Sequence, residues 1–115
     1  MSNIFYHNPR CSKSRESLKI LNKSGVEFTI VEYLKNPPTV DELKDILQKL
    51  NMQASDLMRK NEPEYKANGL DKPDLTQTQQ LELMVKYPKL IQRPIFVSKD
   101  LAIIGRPPEQ ISSIL

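Results

Sequence analysis

Residues 4–21 read IFYHNPRCSKSRESLKIL, and this stretch decides the fold. Ile4, Phe5 and Tyr6 form an apolar run that predicts a strand. His7-Asn8-Pro9-Arg10 predicts a turn, because proline fixes φ and blocks a continuing strand. From Ser12 to Leu21 the placing of Leu18, Ile20 and Leu21 suits a helix. Cys11, the one cysteine of the chain, therefore falls where a strand hands over to a helix's first turn. Unpaired N–H groups and the positive end of the helix dipole favour an anion there. The thiolate is such an anion, and it is the nucleophilic form of cysteine. Arg10, Lys13 and Arg15 add three positive charges within four residues of it. Most free cysteines act as small buried hydrophobes. The polar, basic flanks of Cys11 instead match the setting of a reactive sulfur.

Working outward, Gly25 is placed to end the first helix, and the β-branched stretch Val26–Tyr33 predicts a second strand. Strand, helix and strand within about thirty residues imply a right-handed parallel βαβ unit, with Cys11 at the sheet edge where α/β proteins place ligands. Asn36-Pro37-Pro38 breaks the chain. Thr39 and Glu42 form a capping-box pattern, followed by an apolar helical face of Val40, Leu43, Ile46, Leu47 and Leu50. A short helix is predicted over Ala54–Met58 with Ser55 as its cap, then an irregular or weakly helical stretch from Arg59 to Asp74. Thr76 or Thr78 opens a further helix that turns Leu81, Met84 and Val85 inward and stops at Tyr87-Pro88. Strands over Arg93–Val97 and Leu101–Gly105 predict an antiparallel hairpin. A last helix opens at Arg106-Pro107-Pro108, with Ile111, Ile114 and Leu115 inward. The result is an α/β chain with a mixed sheet, a single domain over residues 1–115 with a central helical insertion at about 37–88.

Composition narrows the function. The 115 residues carry 17 basic and 14 acidic side chains, a net charge of +3, which is mild for a nucleic-acid binder. Without tryptophan, and with few other aromatics, a base-stacking platform is not expected. A small anionic substrate suits the same charge balance. No apolar run approaches a membrane span, and the start lacks the basic and apolar regions of a signal peptide, so a cytoplasmic protein is expected. One cysteine can form neither an internal disulfide nor a multi-thiolate metal site, so no metal is expected.

The element order resembles the thioredoxin-like layout with a helical insertion, and the residues narrow the match. His7-Asn8-Pro9-Arg10-Cys11-Ser12-Lys13-Ser14-Arg15 resembles the H-N-P-x-C-x-x-S-R signature of the glutaredoxin-linked arsenate reductase (ArsC-type) family. Arg59, Glu64-Tyr65-Lys66, Gly69-Leu70, Arg93-Pro94-Ile95 and Ile104-Gly105-Arg106-Pro107 continue the resemblance along the chain. Ser12-Lys13, where studied reductases tend to have Gly-Thr, is most similar to the short YfgD-type branch.

The resemblance implies that Cys11 attacks arsenate or a similar oxyanion, held by Arg59, Arg93 and Arg106. It implies glutathione as co-substrate and glutaredoxin as partner, with no tightly bound cofactor. Pro94 would be the cis-proline facing the cysteine. His7, Asn8, Ser14 and Arg15 would support the loop. His7 either raises the thiolate fraction or fixes the turn. Asn8 and Ser14 bond the sulfur or the backbone, or Ser14 merely starts the helix. Arg15 pairs with an acid or sits near the sulfur. The chemistry is consistent: guanidinium forks pair with tetrahedral oxyanions and relieve the repulsion between an anionic nucleophile and an anionic substrate. Neither nucleic acid nor membrane is expected as a partner, and the chain is expected to be a monomer.

Other readings fit less well. A tyrosine-phosphatase-like loop needs Arg six positions after the cysteine, where Ser17 stands. A monothiol glutaredoxin has no use for Arg59 or Arg93, and a glutathione-dependent thiol transferase of unknown substrate is the alternative enzyme reading. An Spx-like RNA polymerase-binding regulator would carry C-x-x-C, and Ser14 occupies the second position.

Overall fold

The computed structural model describes residues 3–72 and 74–115, and Met1, Ser2 and Pro73 lie outside them. Four strands, β1 (Ile4–His7), β2 (Thr29–Glu32), β3 (Ile95–Val97) and β4 (Ala102–Ile104), form one sheet in the order β2-β1-β3-β4. β1 and β2 are parallel and joined by helix α1 (Ser12–Ser24), while β1–β3 and β3–β4 are antiparallel. This is the expected mixed sheet. Gly25 ends α1 in the left-handed conformation, at φ 76°, which glycine adopts without steric cost.

β2 is shorter than the predicted Val26–Tyr33. Ile4 pairs with Thr29, so the residues before Thr29 run past the start of β1. Val26 and Phe28 serve packing instead, half-buried against the cluster of Phe5, Leu21, Phe96 and Ile111. Phe28 meets Phe5 and Phe96 edge-on, with ring centroids 6.2 and 6.4 Å away. Phe5 and Phe96 are register partners and share one sheet face. α1 and a C-terminal 3₁₀ helix, Pro108–Ile114, pack against each other, and their Leu21 and Ile111 join that cluster. The last element is therefore 3₁₀ rather than α, and Leu115 is exposed, contrary to the inward expectation.

The chain divides into two compact units, Met1–Asn36 with Arg93–Leu115, and Pro37–Gln92. The second unit is helical. α2 (Val40–Leu50) begins with the expected box: the Glu42 N–H donates to Thr39 Oγ1 at 3.1 Å, and the Thr39 N–H donates to Glu42 Oε1 at 2.8 Å. Leu43, Ile46 and Leu47 are buried on α2, as are Leu81 and Met84 on α4 (Gln77–Lys86). Between them lie a 3₁₀ turn, Ala54–Leu57, and α3 (Pro63–Ala67). The turn is capped by Gln53 and Asp56 rather than by Ser55. α3 forms within the stretch expected to be irregular, with Pro63 at a first-turn position that needs no N–H partner. Thr76 caps α4, and Met58 bridges to Ile91.

Gly105 follows β4 in the first unit, at a close approach. A Cβ there would sit 2.5 Å from Ser17 Oγ, 2.9 Å from Pro94 Cγ and 3.1 Å from Ile111 Cδ1. Gly105→Ala is therefore expected to lower unfolding stability by about 1–3 kcal/mol. A denaturant titration checks this, and an unchanged midpoint would show that the packing yields at no cost.

Candidate active site

Cys11 is the N-cap residue of α1, in an extended conformation, and it is partly exposed. The turn before it is held tightly. The Cys11 N–H donates to Asn8 O at 3.0 Å, and the Arg10 N–H donates to Asn8 Oδ1 at 3.0 Å. Arg15 Nη1 reaches back to Pro9 O at 3.0 Å, so its charge braces the turn. This bond to the turn is a role of Arg15 that the sequence did not indicate.

His7 and Ser14 form the buried support of this turn. Ser14 Oγ lies 2.6 Å from His7 Nδ1 and accepts from the Asn8 N–H at 3.0 Å. The Ser14 hydroxyl can serve both contacts when neutral His7 carries its proton on Nε2: it donates to Nδ1 and accepts from the Asn8 N–H. Burial, with a smaller contribution from Arg15, holds the His7 pKa below its ordinary value, against the opposing pull of Glu32. His7 and Ser14 therefore fix the loop. Both were visible in the sequence, but the hydrogen bond between them was not, since it joins a strand to a helix.

The sulfur is set by opposing effects. Burial alone would raise the Cys11 pKa. The Ser14 N–H, the positive charge of Arg93, the Lys13 N–H and a hydrogen bond from Arg93 act the other way, and the net shift is downward. Sγ makes no strict capping bond, but the first-turn amides face it closely enough to favour the thiolate. Arg93 directly precedes β3, the neighbour of β1, and so comes to the sulfur's side. Its Nε is buried and has no hydrogen-bond partner among the described residues.

Arg93–Pro94 and Arg106–Pro107 are both cis. Arg106 is exposed and donates from Nη1 to Arg93 O at 3.3 Å, so these two arginines lie together. Arg59 belongs to the other unit, where it pairs with Glu62 at 3.6 Å. Sequence reasoning missed Glu32, Leu34 and Lys35, which line a cavity with Asn8, Pro9 and Arg10. The signal lay in the parallel pairing, which brings the C-terminal ends of β1 and β2 to one sheet edge.

A lone cysteine at the β1–α1 junction of a mixed sheet, with a cis-proline at the start of the antiparallel hairpin, defines a thioredoxin-like thiol protein. Residues 6–114 match the ArsC family, and the chain belongs to that family. It is 47% identical to the uncharacterized protein YfgD of Escherichia coli K12 over 96% of this chain and 93% of that one. It is 42% identical to an arsenate reductase of Neisseria meningitidis serogroup A, over 96% of this chain and 95% of the other. The solved arsenate reductase of Vibrio cholerae superposes with a TM-score of 0.94 at 42% identity, covering 100% of this chain and 98% of that one. Among the described residues, no helix is long and apolar enough to cross a membrane.

Two measurements test the site. The rate of Cys11 alkylation should rise with a midpoint below the free-cysteine value of about 8.5, and Arg93→Ala should move that midpoint upward. A wild-type midpoint at the free value would contradict the electrostatic account. For His7, an unfolded chain takes up its proton near pH 6.5 whereas the folded chain does so only at lower pH. Its contribution to stability is thus complete above about pH 6.5 and lost as the pH falls. Melting temperatures between pH 7.5 and 5.5 should fall less steeply for His7→Gln than for the wild type, and equal slopes would remove His7 from the account.

Proposed function

We propose that the chain reduces arsenate, or a closely similar tetrahedral oxyanion, with Cys11 as the nucleophile and external thiols as the reductant. The observation that carries this reading is the Arg93 guanidinium: one face serves the sulfur while its buried Nε–H has no partner. A buried donor left unmade is costly, and an oxyanion beside Cys11 would satisfy it. Arg106, bonded to the Arg93 carbonyl, would add a second positive charge. Arg59 enters as an oxyanion ligand through the family resemblance alone. The relatives named arsenate reductase support the choice of arsenic over other centres.

The steps balance as follows. The Cys11 thiolate bonds to arsenic, and one arsenic oxygen leaves as water. A second thiol forms a disulfide with Cys11, the sulfur–arsenic bond breaks, and its electron pair stays on arsenic as arsenite. One arsenate and two thiols thereby give arsenite, a disulfide and water. Because the chain has no second cysteine, the second thiol must come from outside, as must the third that frees Cys11. Glutathione and a glutaredoxin fill these roles in the proposal. Positive charge beside the sulfur permits the first step, since otherwise two anions would have to approach each other.

Arsenite formation with glutathione, measured with and without glutaredoxin, tests the reading. Cys11→Ser should abolish turnover. Arg93→Ala should weaken oxyanion binding by about 1–3 kcal/mol, the range for hydrogen bonds to charged groups. Turnover that survives Cys11→Ser would refute the proposed nucleophile, and an unchanged binding isotherm would remove Arg93 from the site.

A further inference from the structure

Cys11 stands at the end of β1, the second strand in the sheet order, and its two flanks differ. On the β3 side lie Arg93 and Arg106, joined through the Arg93 carbonyl. On the β2 side a cavity of about 280 Å³ opens beside the turn that leads into Cys11. It is lined by His7, Asn8, Pro9 and Arg10 from the end of β1 and its turn, and by Glu32, Leu34 and Lys35 from the end of β2. This volume is near the lower end of the range for small-molecule sites, roughly 300–1,000 Å³. It can take one end of a small peptide.

The charges in the groove are mixed. Arg10 and Lys35 are cations and Glu32 is an anion, so the groove carries a net +1. Lys35 Nζ and Glu32 Oε1 are 3.6 Å apart, with 77% and 42% of their side chains exposed. Exposed pairs of this kind are worth only about 0–1 kcal/mol, so a ligand can take either partner. A dianionic oxyanion would gain from the cations here but would also meet the Glu32 carboxylate. A molecule with two carboxylates and one ammonium matches all three groups and balances the net charge.

The lone cysteine requires an external thiol, as the proposed function already holds. We infer that the Asn8–Arg10/Glu32–Lys35 groove binds that thiol when it is a small zwitterionic peptide thiol of net charge −1. Its ammonium pairs with Glu32 and its carboxylates with Arg10 and Lys35. Its apolar stem lies on Pro9 and Leu34. The inference rests on the external-thiol reading, but it does not depend on which oxyanion is reduced. The oxyanion and the thiol would then reach Sγ from opposite sides of β1 and need not exclude each other.

The test uses no arsenic. Cys11 is converted to its mixed disulfide with thionitrobenzoate, and release of the chromophore is followed with glutathione and, separately, with 2-mercaptoethanol. The second thiol carries no charged groups and reports the intrinsic reactivity of the disulfide. The ratio of the two rate constants is compared between the wild type, Glu32→Gln and Lys35→Ala. Each substitution should lower that ratio by about two- to fivefold, the value of one exposed charge pair, while the 2-mercaptoethanol rate stays the same. Added salt should lower the wild-type ratio as well. A ratio unchanged in both variants would overturn the groove as the thiol site while leaving the external-thiol reading intact. Failure of either thiol to release the chromophore would overturn both.

Discussion

The first unit places one sulfur, its pKa drawn below the ordinary value, at the start of α1. Helix-start amides have no partner within the helix, so an atom held at the N-cap position meets several donors at once. In most helices a serine, threonine or aspartate oxygen takes that place. Here it is Cys11, and the donors that would otherwise fix a cap are free to favour the charged form of the sulfur. The arrangement works only if the sulfur stays put. The Asn8 carbonyl and amide oxygens bind the loop from below, while the His7–Ser14 pair locks the strand end to the helix. That pair leaves neither buried polar group unsatisfied, which is why a neutral His7 is compatible with its depth.

Arg93 adds the second half of the electrostatics, and the sheet order explains how. The central position of β1 gives Cys11 two neighbouring strands. β2 runs parallel to β1, so its C-terminal end arrives beside the cysteine loop. β3 runs antiparallel, so its N-terminal end arrives there, carrying Arg93 and Pro94. The close fit behind this edge leaves no room for a side chain at Gly105, whose N–H donates to Pro94 O at 2.9 Å. Packing at Gly105 therefore bears on the position of the segment that holds Arg93.

Much of this was legible in the chain because the signals are local. The apolar run Ile4–Tyr6, the proline of the turn and the spacing after Ser12 locate Cys11 at a helix start without any knowledge of the tertiary structure. The capping box at Thr39 acts within four residues and is equally readable, whereas the opening of α4 was narrowed only to Thr76 or Thr78. What escaped was decided by partners distant in sequence. The length of β2 depends on where β1 begins, and the fate of Val26 and Phe28 depends on Phe5 and Phe96. Ser55 has good capping chemistry, but the turn starts from Gln53, two residues earlier, with Asp56 closing the box. The last helix tightened to 3₁₀, and Leu115 is left 48% exposed. The orphaned Nε of Arg93 has no sequence signal at all, because it is a property of what surrounds the side chain.

The mixed charge of the β2 flank follows from the same division of labour. Arg93 brings positive charge to one side of the sulfur, and Arg106 donates to the Arg93 carbonyl beside it. If both flanks were purely cationic, the oxyanion would have two competing seats, and the incoming thiol would have to displace it. Glu32 breaks that symmetry. It places a carboxylate where a bare oxyanion gains least and an ammonium gains most. It also pulls the His7 pKa upward against burial, so the groove and the buried support of the cysteine loop share a field. On the proposed reading, a single acid at the end of β2 would separate the two approaches to the sulfur by the sign of their charge.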